Sequence, residues 1–428
     1  MKIRAEVPSN IQSYVDTLTS SEIDYPTRVY FPEVLRRNIQ FVEDLPITVY
    51  LAHKATKTQE FLTIAKEQSI GIDVASEQEL ENALRTGIDP KKIEATGPKN
   101  KAFIKKVVEK DILISVDSLY ELQTIKEMNV PTRVLIRIAN PSDKEIFFSK
   151  TKFGIQKKHI TTVKQIVDGT KIDVQGFHYH GDGISASMRG QITKFFLDQI
   201  ETYFPKANKI NLGGGFSEKR LRNPQNWHKL IQNLIEKKKE GKLTTWGTKP
   251  YGIQTGKNNQ VVGSDQALLP SKSKTFREQL LQILTQQIYS STAVRDILED
   301  TNIELLVEPG HALLYNTGIA IFPVSHTKKI QRGNLVVVNG NTFMISKQMR
   351  EPYADPELLT TNKEQKEYEA FIGGLLCRDD DIFMSRQITL NKKPQTGDLL
   401  VFYNQGSYES YQEGTPQSHP LPETKIIQ

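Results

Sequence analysis

Lys54 stands at the end of an apolar run, residues 47–52, that is typical of a buried strand. A lysine at the mouth of a packed strand is costly to bury unless it is paired or has reacted, and desolvation lowers the pKa of its amine. Such an amine is a nucleophile that forms Schiff bases. A solvated surface lysine would fit the local pattern equally well, so the interpretation depends on what recurs along the chain.

Reactive side chains follow other apolar runs in the same way. Residues 176–181 place His178 and His180 on one face, because side chains alternate along a strand. A hydrogen-bonded barrel histidine suits His178, and an imidazole stacked on a flat heteroaromatic ring suits His180. We do not expect zinc, because no nearby cysteine or carboxylate completes a ligand set. Another run ends on Glu308, whose partner would be a protonated ring nitrogen or an arginine.

Three glycines, Gly213, Gly214 and Gly215, directly follow a further apolar run. Without Cβ atoms, backbone N–H groups can approach and bond a phosphate. An ordinary flexible turn is the alternative. The pattern therefore indicates a candidate anion site at the end of this strand.

Eight β-branched apolar runs must position these residues, and helical periodicity lies between the early ones. Alternating strands and helices, spaced by about 20 residues in the first five units, indicate a parallel sheet, and eight units fit a closed (β/α)8 barrel. An open doubly wound sheet is the alternative, but no Gly-x-Gly-x-x-Gly follows the first strand. The predicted strands are residues 47–52, 72–75, 93–96, 113–116, 133–138, 174–179, 209–212 and 304–307. The predicted helices are residues 58–68, 77–86, 101–109 and 118–128, with Gly87 ending the second.

The carboxyl ends of barrel strands and the loops after them carry the chemistry of this fold. Reactive residue types are concentrated at that rim, which is the main physical argument for an active site. The residues at these positions are Lys54, Asp73, Ser76, Gly97, Asp117, Arg137, His178, His180, Gly213, Gly214, Gly215 and Glu308.

The pattern predicts two domains in the 428 residues. Residues 27–318 would form the barrel, with a polar insertion at about 217–274 that we expect to cover its top face. Residues 1–26 and 319–428 would form a C-terminal β-sandwich or β-barrel, with strands at 324–330, 335–338, 387–390 and 399–403.

Composition restricts the class of protein. There is no apolar signal segment at the N-terminus and no apolar run long enough for a bilayer. The single cysteine, Cys377, precludes an internal disulfide and suits the cytoplasm. The net charge of +6 is small and no basic block is interleaved with aromatic residues, so we expect neither a nucleic-acid nor a membrane partner.

Taken in order, these segments resemble the fold-type III pyridoxal phosphate (PLP) decarboxylases. That family includes the ornithine, arginine and diaminopimelate decarboxylases, which share an alanine-racemase-like barrel. The resemblance covers about residues 25–411, apart from the polar insertion. The segments that carry it are residues 52–56, 72–80, 96–99, 115–118, 152–155, 178–180, 213–215, 308–310, 374–381, 397–402 and 406–408.

The resemblance implies a role for each matched residue. Lys54 would hold PLP covalently, His180 would stack on its ring, and Glu308 would keep the ring nitrogen protonated. Cys377 would donate a proton after CO2 departs, reaching across a homodimer interface. The remaining cofactor contacts would be Asp73, Arg137, Gly213, Gly214, Gly215, Gly310, His311 and Tyr408, with Arg378 and Asp381 at the substrate.

Several positions depart from the family pattern. Thr56 replaces an asparagine, and His311 replaces the arginine after Glu-Pro-Gly. Gly183 stands where serine is usual, and Ser185 could substitute for it. Arg378 replaces an acidic residue that meets a distal ammonium, which favours a substrate with a distal carboxylate. One of the neighbouring aspartates, residues 379–381, could instead form an ion pair with Arg378.

We therefore expect a cytoplasmic, homodimeric PLP-dependent decarboxylase of an amino acid or amino-acid-derived substrate. A racemase on the same barrel is the first alternative, although it needs a second base where Cys377 favours decarboxylation. A non-catalytic PLP-binding homologue is the second, because Gly183 and His311 depart from the pattern.

Overall fold

The structure is a computed structural model that describes residues 2–19, 22–141, 151–216, 218, 221–241, 245–247, 254–255, 261–262, 274–346, 353–408 and 416–427. The chain divides into two compact units. The barrel unit comprises Leu35–Ser217 and Thr275–Leu313, and the β unit comprises Met1–Val34, Glu218–Lys274 and Leu314–Gln428.

The strands follow in chain order. They are β1 (Thr27–Tyr30), β2 (Thr48–Ala52), β3 (Gly71–Val74), β4 (Ile93–Ala95), β5 (Leu113–Val116), β6 (Thr132–Arg137), β7 (Ile172–His178), β8 (Lys209–Asn211), β9 (Gln254–Thr255), β10 (Val261–Val262), β11 (Gln287–Tyr289), β12 (Thr292–Ala293), β13 (Glu304–Val307), β14 (Gly318–Ile330), β15 (Gly333–Val338), β16 (Glu357–Leu359), β17 (Tyr368–Gly373), β18 (Ile388–Leu390), β19 (Leu399–Phe402) and β20 (Glu423–Ile426).

The helices are α1 (Ser9–Thr17), α2 (Pro32–Gln40), α3 (Gln59–Glu67), α4 (Glu77–Arg85), α5 (Lys101–Glu109), α6 (Leu119–Met128), α7 (Ile160–Val167), α8 (Ala186–Tyr203), α9 (Pro224–Lys239), α10 (Phe276–Leu284) and α11 (Val294–Asp300). None of the helices in the described ranges is long and apolar enough to span a membrane.

The predicted barrel is confirmed. Strands β2 to β8 and β13 pair in parallel and close into one barrel, with β13 between β8 and β2. All eight correspond to predicted apolar runs, because strands covered on both faces are apolar throughout. The four predicted helices are α3 to α6, and Gly87 follows α4 with a φ of 80°, as expected for a helix-terminating glycine.

Capping explains why two helices begin directly after their strands. The Ser76 side chain accepts from the backbone N–H of Glu79, whose carboxylate accepts from the N–H of Ala75 at 2.8 Å. Ser118 and Glu121 repeat this pattern at the start of α6. Each reciprocal cap satisfies donors that a helix N-terminus leaves open. The strand ends that carry the candidate residues are thereby held in place.

The β unit contains an eight-stranded mixed sheet, which confirms a separate C-terminal sheet domain. The first half of the long strand β14 pairs with β1 and β19, and its second half pairs with β15. The N-terminal residues pack with this sheet, since Ile11 and Val15 of α1 share a buried cluster with Ile319 and Val401.

Residues 218–274 group with the β unit rather than with the barrel unit in which we expected an insertion. Its helix α9 buries Trp227 and Ile231 in a cluster with Ile3 and Leu221. The sequence suggested a polar insertion because this stretch is rich in lysine, asparagine, glutamine and glycine. The predicted lid over the barrel stays a prediction.

Candidate active site

Lys54 lies in a single 3-10 turn, His53–Ala55, that follows β2 directly. Buried His53 fixes the turn, because its Nδ1 lies 3.0 Å from the carbonyl oxygen of Thr56. The flanking residues are buried while the Lys54 side chain is exposed at the barrel rim. Its ammonium acts on the pKa values of Asp73, Asp182 and both nearby histidines, so it belongs to one electrostatic cluster with them.

Glu308 follows β13 and is the centre of that cluster. Asn211, at the end of β8, donates to Glu308 Oε1 at 2.7 Å. His178 Nε2 lies 3.4 Å from the same oxygen, and His180 Nδ1 lies 3.6 Å from Oε2. The His178 Nδ1 contacts the Ser115 hydroxyl, which orients that ring. The carboxylate is thus buried but surrounded by polar partners, as a buried charge requires.

The titration of these groups follows from burial and from their neighbours. Burial alone would raise the pKa of Glu308, but His180 and the charge of Lys54 lower it below its ordinary value. Burial lowers the pKa of His178 to about 3, so its imidazole is neutral. Burial opposes a charge on His180, yet the nearby carboxylates of Asp182 and Glu308 raise its pKa overall. Glu308 is therefore ionised at neutral pH.

Two further carboxyl groups lie in the barrel interior. Burial, then the charge of Glu308, raises the pKa of Asp73 to about 7, against the effects of Lys54 and the Thr96 hydroxyl at 2.5 Å. Burial raises the pKa of Glu94 as well, with Glu308 and Asp73 adding to it. Within the described residues, one oxygen of each of these two carboxyl groups has no hydrogen-bond partner. The negative charge of the interior therefore resides mainly on Glu308.

Asp73→Asn should alter the pH dependence of stability. A raised folded pKa means that the folded state binds more protons than the unfolded chain, so stability falls as pH rises from about 4 to about 7. Asparagine keeps an oxygen for Thr96 and does not ionise. The difference in free energy of unfolding between the variant and wild type should be more favourable to the variant at pH 8 than at pH 4, by on the order of a few kcal/mol. Urea unfolding without added cofactor measures this, and equal pH profiles would contradict it.

The glycine loop, residues 213–215, needs glycine at each position. Gly213 and Gly215 have φ values of 63° and 74°. A Cβ on Gly214 would lie 2.5 Å from the carbonyl oxygen of Glu308. The loop amides are only partly available, because Gly213 N donates to the Asn211 side chain at 2.8 Å and Gly214 N to His180 Nδ1 at 3.1 Å. The loop is a close-packed turn with two amides used internally, and the anion site expected from the sequence stays a prediction.

Arg137, at the end of β6, is buried and paired. Its guanidinium donates to Asp117 Oδ1 at 3.0 Å and lies 4.5 Å from the Phe153 ring centroid. Asp117 Oδ1 also accepts from Gly154 N at 3.2 Å. Three predicted motifs therefore meet in one ion-pair network, and the contact of Arg137 with a cofactor oxygen stays a prediction.

Gly310 and His311 are buried in the barrel unit just after Glu308. The carbonyl oxygen of Pro309 accepts from Ala52 N at 3.2 Å, which ties this turn to the strand before Lys54. Ser185, proposed as a replacement at the phosphate, caps α8 by accepting from Met188 N at 3.2 Å. That hydrogen bond gives the hydroxyl a structural role in this state.

The cysteine loop, residues 374–381, belongs to the β unit. Cys377 is exposed, and its backbone N–H donates to the Gln417 side chain at 2.9 Å. Asp381, predicted at the substrate, is instead buried, with its oxygens accepting from Thr342 N and Leu376 N, each at 2.9 Å. We therefore assign Asp381 to holding this loop rather than to binding substrate.

Arg378 forms a two-pronged ion pair within the cysteine loop. Its Nε and Nη2 donate to the two oxygens of Asp380 at 2.8 and 2.6 Å. The structure therefore contains the predicted alternative, in which a neighbouring aspartate pairs with Arg378. Tyr408, in the same unit, has a left-handed backbone with φ 52°, which is uncommon for a bulky residue and marks a constrained position.

Sequence reasoning missed three residues that shape the barrel site. Asn211 donates to Glu94 as well as to Glu308, each at 2.7 Å, and so links two carboxyl groups of the interior. Arg189 of α8 donates to two carbonyls of the segment that carries the glycine loop. A charged residue inside an otherwise apolar strand was the available signal for Glu94. Arg189 has no comparable signal, because polar residues are ordinary on helices.

The barrel site fits PLP by its donor set. The lysine amine, the ionised Glu308 and the His180 imidazole lie together, and the glycine loop allows close backbone approach. The ligand atoms of His178, His180 and Glu308 also lie within 4.8 Å of one another, so the cluster could bind a metal ion. The expectation that no nearby carboxylate joins the two histidines was therefore wrong, because β13 brings Glu308 to them across the barrel. Metal analysis of the purified protein distinguishes the two occupants.

Comparisons with known proteins agree with this geometry. Residues 32–244 match the family described as pyridoxal-dependent decarboxylase, pyridoxal binding domain. An uncharacterised protein, y4yA, of Sinorhizobium fredii is 25% identical over 93% of this chain and 86% of its own length. Diaminopimelate decarboxylase of Escherichia coli K12 is 21% identical, with 94% and 88% covered.

Solved structures share the fold. The arginine decarboxylase of Paramecium bursaria Chlorella virus bound to agmatine has a TM-score of 0.71 at 14% identity, with 98% of this chain and 100% of that chain covered. Diaminopimelate decarboxylase of M. jannaschii with L-lysine has a TM-score of 0.71 at 20% identity, with 99% and 92% covered.

Proposed function

Because the chain belongs to the pyridoxal-dependent decarboxylase family, we propose that it is a PLP-dependent amino-acid decarboxylase whose active site is the Lys54–Glu308 cluster. The single observation that carries this proposal is the distribution of charge at the barrel rim. Glu308 is ionised between two imidazoles, while burial raises the pKa of Asp73 and of Glu94. Groups whose pKa values are driven apart in this way mark an active site.

Each residue then has a task. Lys54 would anchor the cofactor through its amine, Glu308 would hold a proton on the ring nitrogen, and His180 would pack against the ring. When bound, PLP supplies an electron sink for the carbanion left by CO2. Neutral His178 and the Asn211 amide keep Glu308 oriented without neutralising it.

A substrate panel tests the proposal. Purified protein is incubated with PLP and with single amino acids, including diaminopimelate, ornithine, lysine and arginine, and CO2 and products are measured. Stoichiometric CO2 and amine support decarboxylation. Inverted stereochemistry without CO2 would identify a racemase, and bound PLP without turnover on any substrate would indicate a non-catalytic homologue.

Cys377 is proposed as the acid that returns a proton from its Sγ to the carbon from which CO2 departs. Cys377→Ala should lower kcat about a hundredfold. This loss lies at the low end of what a general acid contributes to the rate, because water can partly replace an exposed thiol. Cys377→Ser should be intermediate, and PLP absorbance should be unchanged in both. Wild-type turnover in Cys377→Ala would exclude the thiol as the acid. The predicted homodimer, in which the partner supplies this residue, stays a prediction.

Arg378 is proposed to recognise a distal carboxylate of the substrate. Its pair with Asp380 is exposed and therefore weak because solvent screens it, so a substrate carboxylate can replace Asp380 at low cost. Arg378→Met should raise KM about tenfold for amino acids with a distal carboxylate, since a charge-assisted hydrogen bond is lost. Asp380→Asn, the control, should not raise it. A wild-type preference for ornithine would contradict this assignment.

A further inference from the structure

Arg189 lies in α8 and is 2% exposed. Its Nη1 donates to the carbonyl oxygen of Leu212 at 2.7 Å, and its Nη2 donates to that of Gly214 at 2.6 Å. The centre of its guanidinium lies 4.0 Å from the centroid of the Phe216 ring. One buried side chain therefore contacts the glycine loop at both ends.

Burying an arginine is costly unless its charge and donors are satisfied. Among the residues that the structure describes, no carboxylate lies within ion-pair distance of Arg189, although Asp182 acts on it at longer range. Burial lowers the pKa of Arg189 to about 10, which still leaves the guanidinium protonated at neutral pH. The fold thus keeps a positive charge behind the glycine loop, with carbonyl oxygens and an aromatic face as its close partners.

That charge matters for anion binding because the loop amides are only partly available. Gly213 N and Gly214 N already donate to Asn211 and His180. Two carbonyl oxygens of the same segment would repel an incoming anion, but they point at the guanidinium. Arg189 therefore turns these carbonyl dipoles away from the anion and adds a positive charge that attracts it. That attraction is stronger in a region of low dielectric.

We propose that Arg189 is a positioning residue that shapes the glycine loop for a phosphate monoester and supplies the positive charge the loop needs. The proposal rests on the proposed function, since the phosphate is that of PLP. It predicts that Arg189 acts on the phosphate end of the cofactor and leaves attachment at Lys54 intact.

The test compares PLP with pyridoxal, which lacks the phosphate. Cofactor-free protein is titrated with each, and Kd is measured from the visible absorbance of the lysine-bound form. Arg189→Met should raise the Kd of PLP at least about tenfold and leave that of pyridoxal within about twofold. Arg189→Lys, which keeps the charge with fewer donors, should be intermediate. Lys194→Met removes a half-exposed cation of the same helix, paired with Asp198, and should change neither Kd.

Inorganic phosphate gives a second readout that does not depend on Lys54. It should raise the melting temperature of the cofactor-free wild type and of Lys194→Met, and raise it less in Arg189→Lys. Equal weakening of PLP and pyridoxal, or no loss of phosphate stabilisation in Arg189→Lys, would overturn the proposal. Those results would leave the proposed function standing. Wild type that gains stability from phosphate but reacts with neither aldehyde would overturn the proposed function and support an anion site.

Discussion

Replacing Lys54 by alanine is expected to abolish covalent cofactor binding and to lower decarboxylation by about 10³-fold or more. The ε-amine of Lys54 is the proposed nucleophile of the rim, and alanine supplies none. The local backbone should barely move, because Lys54 is exposed and its turn is held by His53 and Thr56. The measurements are the visible absorbance of the purified protein and CO2 release from the preferred substrate.

A matched control is Lys66→Ala in α3. Lys66 is also exposed and donates to the carbonyl oxygen of Thr86, so its loss changes the net charge equally. Absorbance and turnover should stay at wild-type values. Borohydride treatment should attach a pyridoxyl group to Lys54 of wild type, as read by peptide mass spectrometry. An adduct on a different lysine would refute the assignment of Lys54.

The barrel and its rim could be predicted because parallel strands buried on both faces are recognisable as apolar runs. Reactive residues that end such runs must meet at one edge of the barrel, whatever the loops do. Lys54, Asp73, His178, His180 and Glu308 were identified in this way, and the structure brings them together.

Other features depend on close approaches that no sequence pattern encodes. Whether a loop amide is available for a ligand depends on which side chain reaches it, as Asn211 reaches Gly213. Asp381 was predicted at the substrate from the resemblance of its loop to the family pattern, yet its carboxylate is buried and accepts from two backbone amides. The segment around α9 was predicted to be a polar insertion in the barrel, whereas its buried apolar residues contact Ile3, far away in sequence.

The charge on Glu308 can be separated from its shape by a second substitution. Glu308→Gln keeps an oxygen that can accept from Asn211, but it removes the negative charge that would hold a proton on the cofactor ring nitrogen. We expect kcat to fall about 10³-fold, comparable with the loss of a preorganised electrostatic contact. KM and covalent attachment at Lys54 should change little, since the ring nitrogen lies at a distance from the anchoring amine.

Glu94→Gln provides the matched control, because Asn211 donates to Glu94 at 2.7 Å just as it does to Glu308. Burial and the charges of Glu308 and Asp73 raise the pKa of Glu94, so glutamine removes less negative charge there than at Glu308. Turnover of this variant should stay within about threefold of wild type. Steady-state kinetics of both variants at neutral pH decide the matter. Equal losses would mean that the two carboxyl groups share their proton, and the site would then lack the single fixed charge on which electron withdrawal into the ring depends.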